Sequence, residues 1–212
     1  MNRRFLNRLL ACVAASTLAL TLGSAHAADE APDAMIQRLS NELLDTIRAD
    51  KTLQSGNVTR VAALVDSKVM PNVNFQRMTA SAVGPGWRKA TPDQQKRLQE
   101  EFKTLLVRTY AGALSQISDQ VVEMKPMRTA PEDKEVVVRS EIKGRSEPIQ
   151  LDYRLEKTPG QGSGWKIYNL NVLGVWLVET YRSQFAQEIN INGIDGLITT
   201  LVDRNKANAK KG

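Results

Sequence analysis

Cysteine and histidine are almost missing from this chain. Its 212 residues hold one of each, Cys12 and His26, and aromatic residues make up only 5% of the whole. Both rare residues fall in the first 27 positions, which read as a leader removed on export. Met1 to Arg8 carries three arginines and no acid, Leu9 to Leu22 is an apolar run, and Ala25-His26-Ala27 is a small-residue cleavage site. A spanning helix needs roughly 20 apolar residues, more than this run supplies. A lipoprotein signal at Leu9-Leu10-Ala11-Cys12 is the rival reading. It fits less well, because a lipidated cysteine follows the apolar run and here the run continues past Cys12.

Removing Met1 to Ala27 leaves 185 residues with neither cysteine nor histidine. Disulfides, thiolate nucleophiles, Ser-His-Asp triads and zinc held by His or Cys are thereby excluded. The three leader arginines are lost as well, so the net charge falls from +6 to +3. No second apolar run of spanning length follows. The expected product is exported, soluble and without a lipid anchor. Its domain limits are 28–205, with a flexible basic tail at 206–212. That tail carries Lys206, Lys210 and Lys211 and no aromatics, which argues against nucleic acid as a partner.

What is present is ordinary globular material, 42% apolar and 25% charged. Asp33 is placed to cap a helix whose apolar positions are Met35, Ile36, Leu39, Leu43, Leu44 and Ile47, at helical period. Gly56 breaks it. Val58, Val61, Leu64, Val65 and Val69 form a second stripe that Pro71 stops, and Asn72 to Val83 is a shorter helix. Thr91-Pro92-Asp93-Gln94 combines an N-cap, a proline at the first helical position and a capping box. The helix it opens carries Leu98, Phe102, Leu105, Leu106, Tyr110 and Leu114 over about 25 residues.

At Asp119 the period changes to two. Strands are predicted at Val121 to Met124, Lys134 to Gly144, Pro148 to Thr158 and Trp165 to Val172. The third is the cleanest. Ile149, Leu151, Tyr153 and Leu155 alternate with Gln150, Asp152, Arg154 and Glu156, giving a dry and a wet face. Helix returns from Gly174, breaks at Asn190-Ile191-Asn192-Gly193, and resumes with Ile194, Leu197, Ile198 and Leu201. The order predicts an α+β fold: a curved four-stranded antiparallel sheet covered by N- and C-terminal helices.

No catalytic constellation stands out. Asn190 to Gly196 imitates a calcium loop but lacks its closing glutamate, and reads instead as a helix C-cap followed by an N-cap. Asn57-Val58-Thr59 matches a glycosylation sequon. Asp152 and Glu156 lie on the wet side of their strand, facing away from any interior. Tyr110, Tyr153 or Tyr168 with a buried Asp leaves open a small-ligand enzyme on a cone-shaped fold. A periplasmic chaperone that binds unfolded peptide is a second alternative. The aliphatic stripes fit either a solid core or the wall of a pocket, and they favour binding over catalysis.

Two segments carry a resemblance. Gly84-Pro85-Gly86-Trp87-Arg88-Lys89-Ala90-Thr91 leads into a Gln-rich helix start with Phe102 and Tyr110. Gly164-Trp165-Lys166-Ile167-Tyr168-Asn169-Leu170-Asn171-Val172-Leu173-Gly174-Val175 leads into Tyr181-Arg182 and Phe185. In this order and separation they resemble the periplasmic MlaC-type phospholipid carriers, also called toluene-tolerance proteins. Two positions depart from the family pattern: Asn169, where an acid is common, and Trp176, where a serine is.

The resemblance implies a sheet like the nuclear-transport-factor-2 cone, and a monomeric shuttle in the periplasm of a Gram-negative bacterium that maintains outer-membrane lipid asymmetry. It implies no enzymatic activity, metal or cofactor, with phospholipid as cargo, its acyl chains in an apolar pocket and its headgroup outside. The implied partners are an outer-membrane lipoprotein–porin complex and an inner-membrane ABC transporter with an MCE-domain subunit. It turns the dry stripes into pocket walls. The lipid-binding residues are then Ile149, Leu151 and Tyr153, with Val136 and Val138 one strand earlier and Tyr168, Leu170 and Val172 one strand later. Phe75 and Met78 from the short helix and Leu106 and Tyr110 from the long one complete the enclosure.

Overall fold

The structure, a computed structural model, describes residues 30–144 and 147–209. The leader, with Cys12 and His26, and the last three residues of the tail lie outside these limits.

Helix α1 spans Pro32–Ala49 and buries Met35, Ile36, Leu39, Leu44 and Ile47. Its N-cap position is Ala31, with Pro32 inside the first turn. Asp33 is therefore not the cap. It lies within the first turn, where its charge suits the positive end of the helix dipole. A short helix α2 (Lys51–Gln54) is capped by Asp50, which accepts from the amides of Thr52 and Leu53. Helix α3 (Val58–Leu64) is capped by Asn57, the asparagine of the sequon. It then widens into a π-helical turn, Val65–Val69, and tightens into a 3-10 turn, Met70–Asn72, containing Pro71.

Helix α4 (Phe75–Val83) is capped by Asn74. Helix α5 (Pro92–Tyr110) opens on the expected capping box of Thr91 and Gln94. It continues as 3-10 turns through Gln116, so the long helical unit has the expected extent.

Strands β1 (Val121–Met124), β2 (Glu135–Lys143), β3 (Ile149–Lys157), β4 (Trp165–Val172) and β5 (Val175–Trp176) form one antiparallel sheet in sequence order. The fold is α+β as expected, but the sheet has five strands rather than four. The fifth is a two-residue return that pairs Asn171 with Trp176 and Val172 with Val175. It folds back through Leu173, which takes a positive φ of 51°, and Gly174. Strand β5 is too short to cover the start of β4. There Val73 bridges to Ile167 and the Asn74 amide donates to the Ile167 carbonyl at 2.8 Å, satisfying that edge.

Helix α6 (Leu177–Ala209) includes the expected break as a kink at Gly193, whose φ of 69° suits a residue without Cβ. It runs on to Ala209, so the first part of the expected tail is helical.

Three apolar clusters hold these elements together. Helices α4, α5 and α6 share an aromatic knot, in which Phe102 meets Phe75, Tyr181 and Phe185 at ring separations of 4.9–5.8 Å. Helix α1 packs on β2, β3 and β4 through Met35, Ile36, Leu39, Val136, Val138, Leu155, Trp165 and Ile167. The end of α1 joins α2, α3 and the end of α5 through Ile47, Leu53, Val61, Leu64, Val107 and Ala111.

Candidate functional site

Where these three clusters meet they do not merge. A cavity of about 420 Å³ lies between them and takes wall residues from each. Its floor is the inner face of the sheet: Leu151 and Tyr153 from β3, and Ile167, Leu170 and Val172 from β4. Helix α1 contributes Ile36, Leu39, Leu43 and Ile47 on one side. Val61 and Leu64 of α3, with Val65 and Val69 of the π turn, form the opposite side. Phe75, Met78, Leu106, Val107, Tyr110, Leu114 and Leu177 close the remainder. Native interiors rarely leave gaps larger than a water molecule, so this volume is a built feature.

Polar side chains on the wall are few, and each is accounted for. The Tyr153 hydroxyl engages Ser40 and Ser140, and burial is the main reason its pKa is pushed up. Tyr110 is half-exposed at the rim, and desolvation raises its pKa too. Both phenols therefore stay neutral at ordinary pH. Lys103 reaches the rim, where its ammonium pairs with Asp66 at 2.7 Å. No carboxylate, amide or imidazole lines the cavity.

Eight of the twelve residues expected at the pocket lie on this wall: Phe75, Met78, Leu106, Tyr110, Leu151, Tyr153, Leu170 and Val172. Val136, Val138, Ile149 and Tyr168 do not. Val136 and Val138 share the inner face, but α1 packs directly on them, and Val138 is fully buried. Ile149 begins β3 opposite Ile142 and is 37% exposed.

Tyr168 departs for a different reason. The β3–β4 register shifts between Arg154 and Leu155: Asn169 pairs with Arg154 and Ile167 with Leu155, so Tyr168 is an extra residue. A bulge of this kind turns the strand by one position and exchanges its faces. Ile167 points inward before it, and Leu170 and Val172 point inward after it. Tyr168 is left on the outer face. There the Arg77 guanidinium lies 3.6 Å over its ring, and its hydroxyl donates to Glu135 at 2.8 Å.

The outer face also corrects the reading of β3's wet side. Asp152 is only 5% exposed and accepts from the Gln150 amide at 2.8 Å, between Arg139 and Asn171 on the neighbouring strands. Glu156 is part-buried and accepts from Arg77 and Asn74. Gln150 lies against Asp152, and Arg77 and Asn74 lie against Glu156. Neither belongs to the cavity wall, so no tyrosine–aspartate pair forms there.

The two departures from the family pattern sit on this same face. Asn169 accepts from the Val178 amide at 3.1 Å, capping the start of α6 from a strand, and donates to Glu179 at 2.8 Å. Trp176 lies 4.0 Å beneath the Arg154 guanidinium, which also pairs with Glu179.

Sequence reasoning found the apolar stripes of α1 and α3 but did not assign them to the pocket. Their spacing was visible. Their place opposite the β3–β4 floor depends on tertiary packing.

Comparison with known proteins adds the relationship. A structure of a phospholipid-binding protein from Ralstonia solanacearum, in complex with a phospholipid, superimposes with a TM-score of 0.79 at 45% identity. The match covers 84% of this chain and 98% of that one. The toluene tolerance protein Ttg2D of Pseudomonas putida is 29% identical over 170 residues, covering 79% of this chain and 77% of its own. The intermembrane phospholipid transport system binding protein MlaC of Haemophilus influenzae is 24% identical over 177 residues, covering 82% of each. The family model described as MlaC protein matches residues 37–203, a span that begins in α1, ends in α6 and takes in all the cavity's lining residues except Ile36. The chain therefore belongs to the MlaC family.

Proposed function

We propose that this protein is a non-enzymatic phospholipid carrier that shelters acyl chains in the cavity between its three cores. The observation that carries this reading is the cavity itself, large and walled almost entirely by aliphatic and aromatic carbon. An apolar occupant is the natural complement of such a wall, because water inside it would find few hydrogen-bonding partners.

Each methylene moved from water contributes about 0.8 kcal/mol. Two chains of about 15 methylenes are then worth on the order of 20 kcal/mol. Such a ligand does not leave into water at a useful rate, so release requires a partner offering another apolar path. The family relationship and the leader-like N-terminus support a periplasmic shuttle between the two membranes. Its partners on this reading are an outer-membrane lipoprotein–porin complex and an inner-membrane ABC transporter with an MCE-domain subunit.

The wall supports the rival readings less well. An extended peptide carries a donor and an acceptor per residue, and the wall has few groups to satisfy them. General acid–base chemistry needs a titratable group poised near the working pH, and both wall phenols are pushed away from it. Organic extraction of the purified protein followed by mass spectrometry tests the proposal. Diacyl phospholipid at stoichiometric amounts is expected. Protein that carries none, and acquires none from vesicles, would overturn it.

A further inference from the structure

Large apolar side chains that stand in solvent are few, and they are not scattered. Among the described residues they are Tyr110, Val121, Ile149, Leu173, Val175 and Ile191. Four of these gather at one edge of the cavity. Tyr110 is itself on the wall. Val175 lies directly opposite Val172 in the β4–β5 pair, and Val172 lies opposite Leu151 of β3; both of those line the cavity. Residues paired in this way share a face of the sheet, so Val175 carries the cavity floor outward into solvent, where it is 51% exposed. Ile149 does the same from β3, two residues before Leu151. Leu173 is tied beside it, its amide donating to the Gln150 carbonyl at 3.0 Å. Leu177, which follows β5 directly, is a wall residue, and Tyr181, four residues on, interacts electrostatically with Tyr110. The exposed end of the sheet and the rim tyrosine therefore flank one stretch of the cavity's edge.

Leu173 is the unusual member. Leu173 and Gly174 are the two central residues of the β4–β5 hairpin, and both take a positive φ. Two-residue hairpin turns with that pattern favour Asn-Gly, because Asn tolerates the left-handed region and a bulky side chain does not. Among the described residues Leu173 alone, apart from glycines, adopts such a φ. Burial does not compensate it, since Leu173 is 63% exposed. A large apolar side chain held in a strained and solvated position serves function rather than folding.

We propose that this lip is the portal of the carrier: acyl chains enter and leave the cavity between Tyr110 and the β4–β5 turn, and Leu173 and Val175 cover the methylenes that lie outside the mouth. The proposal rests on the carrier reading above. The occupant of the lip is the cargo's own chains, because the lip and the cavity floor are one sheet face, with Val175 set directly against Val172. A chain that slides straight into water hydrates every methylene it frees. Apolar surface beside the mouth shelters part of that length and lowers the barrier in both directions. The headgroup remains in water beyond the lip.

Two measurements test it. In a Cys12→Ser background an introduced cysteine is unique. Leu173→Cys and, as a control, Ile191→Cys are labelled with bimane, loaded with phosphatidylcholine bearing a nitroxide near the carboxyl end or near the methyl end of one chain, and freed of vesicles. The label at 173 should be quenched, more strongly by the probe near the carboxyl end, and the label at 191 by neither. Loaded protein whose label at 173 is quenched no more than that at 191 overturns the portal and leaves the carrier reading intact. So does quenching at 173 that occurs only while vesicles are present, which would make the lip a membrane contact. Protein that takes up no lipid overturns the carrier reading and the portal together. The second measurement is the rate of fluorescent phospholipid uptake from vesicles. Leu173→Asn removes the apolar side chain while suiting the turn, so it should melt no lower than wild type yet take up lipid about fivefold more slowly. Val175→Ser should act in the same direction, and Ile191→Ser should keep the wild-type rate. Wild-type rates in both lip variants overturn the proposal.

Discussion

On the inner face of the sheet, Val136, Val138 and Leu155 lie packed beneath α1, each no more than 8% exposed, whereas Leu151, Leu170 and Val172 border the cavity. These residues share one surface and adjoining rows: Val136 pairs with Leu155, Tyr153 with Leu170, and Leu151 with Val172. Local sequence treats them alike, as apolar positions at period two. What separates them is the reach of one helix. Helix α1 covers β2 and the far end of β3 closely. The near end of β3 and the C-terminal half of β4 instead meet the cavity that α1 shares with α3 and α5. Solid core and binding wall are therefore set by coverage rather than by the character of the strand.

Charge insertion should separate the two regions most sharply. Leu155→Arg places an unpaired charge in a fully buried position and should prevent folding. Leu151→Arg has open volume and a route toward the mouth, so the protein should fold and lose its lipid. Circular dichroism and lipid extraction on both variants check this. A folded Leu155→Arg, or a folded Leu151→Arg with a full lipid load, would break the comparison.

Truncation should give the same ordering with smaller effects. Leu155→Ala is expected to cost roughly 2–5 kcal/mol in thermal or urea unfolding. Leu151→Ala in lipid-free protein should cost less than about half of that, because its side chain already lacks neighbours on one side.

The outer face offers a third level. Asn169→Ala removes the cap of α6 and leaves Glu179 without its amide donor. A loss of about 1 kcal/mol is expected, with lipid load unchanged. Asn169→Asp should cost more than an ordinary cap exchange, since a carboxylate there faces Glu179.

The smallest effect concerns acid. The hydrogen bond from Arg77, helped by that from Tyr168, holds the Glu135 carboxyl below the usual glutamate range. A depressed folded pKa gives stability that is fully present above the unfolded value, near 4.5, and is lost as the pH falls through the folded value. Melting curves below pH 4.5 should therefore drop less steeply in Glu135→Gln than in wild type. The group is half-exposed, so solvent screening keeps the difference under about 1 kcal/mol.

Much of this architecture is legible in sequence because local rules decide it. Thr91 and Gln94 announce α5, and the alternation from Ile149 to Leu155 announces β3. Other features are hidden for physical reasons. The bulge at Tyr168 inserts one residue where the strand carries Ile167 and Tyr168 side by side, and no glycine or proline marks it. Extending the i, i+2 rule through it put Tyr168 on the wrong face while placing Leu170 and Val172 correctly. That α1 begins one residue earlier than a cap at Asp33 implies, with Ala31 at the N-cap position and no side-chain cap, follows from Pro32, whose fixed φ suits the first turn. The α3 side of the cavity wall could not be placed, since nothing local says what an amphipathic helix faces.

The central claim is that the cavity over β3 and β4 is where phospholipid chains reside. Native mass spectrometry after incubation with phospholipid vesicles tests it most directly, comparing wild type with folded Leu151→Arg. The account predicts wild-type protein heavier by the mass of bound diacyl phospholipid and Leu151→Arg at the mass of the bare chain. Equal lipid adducts on the two proteins would contradict it.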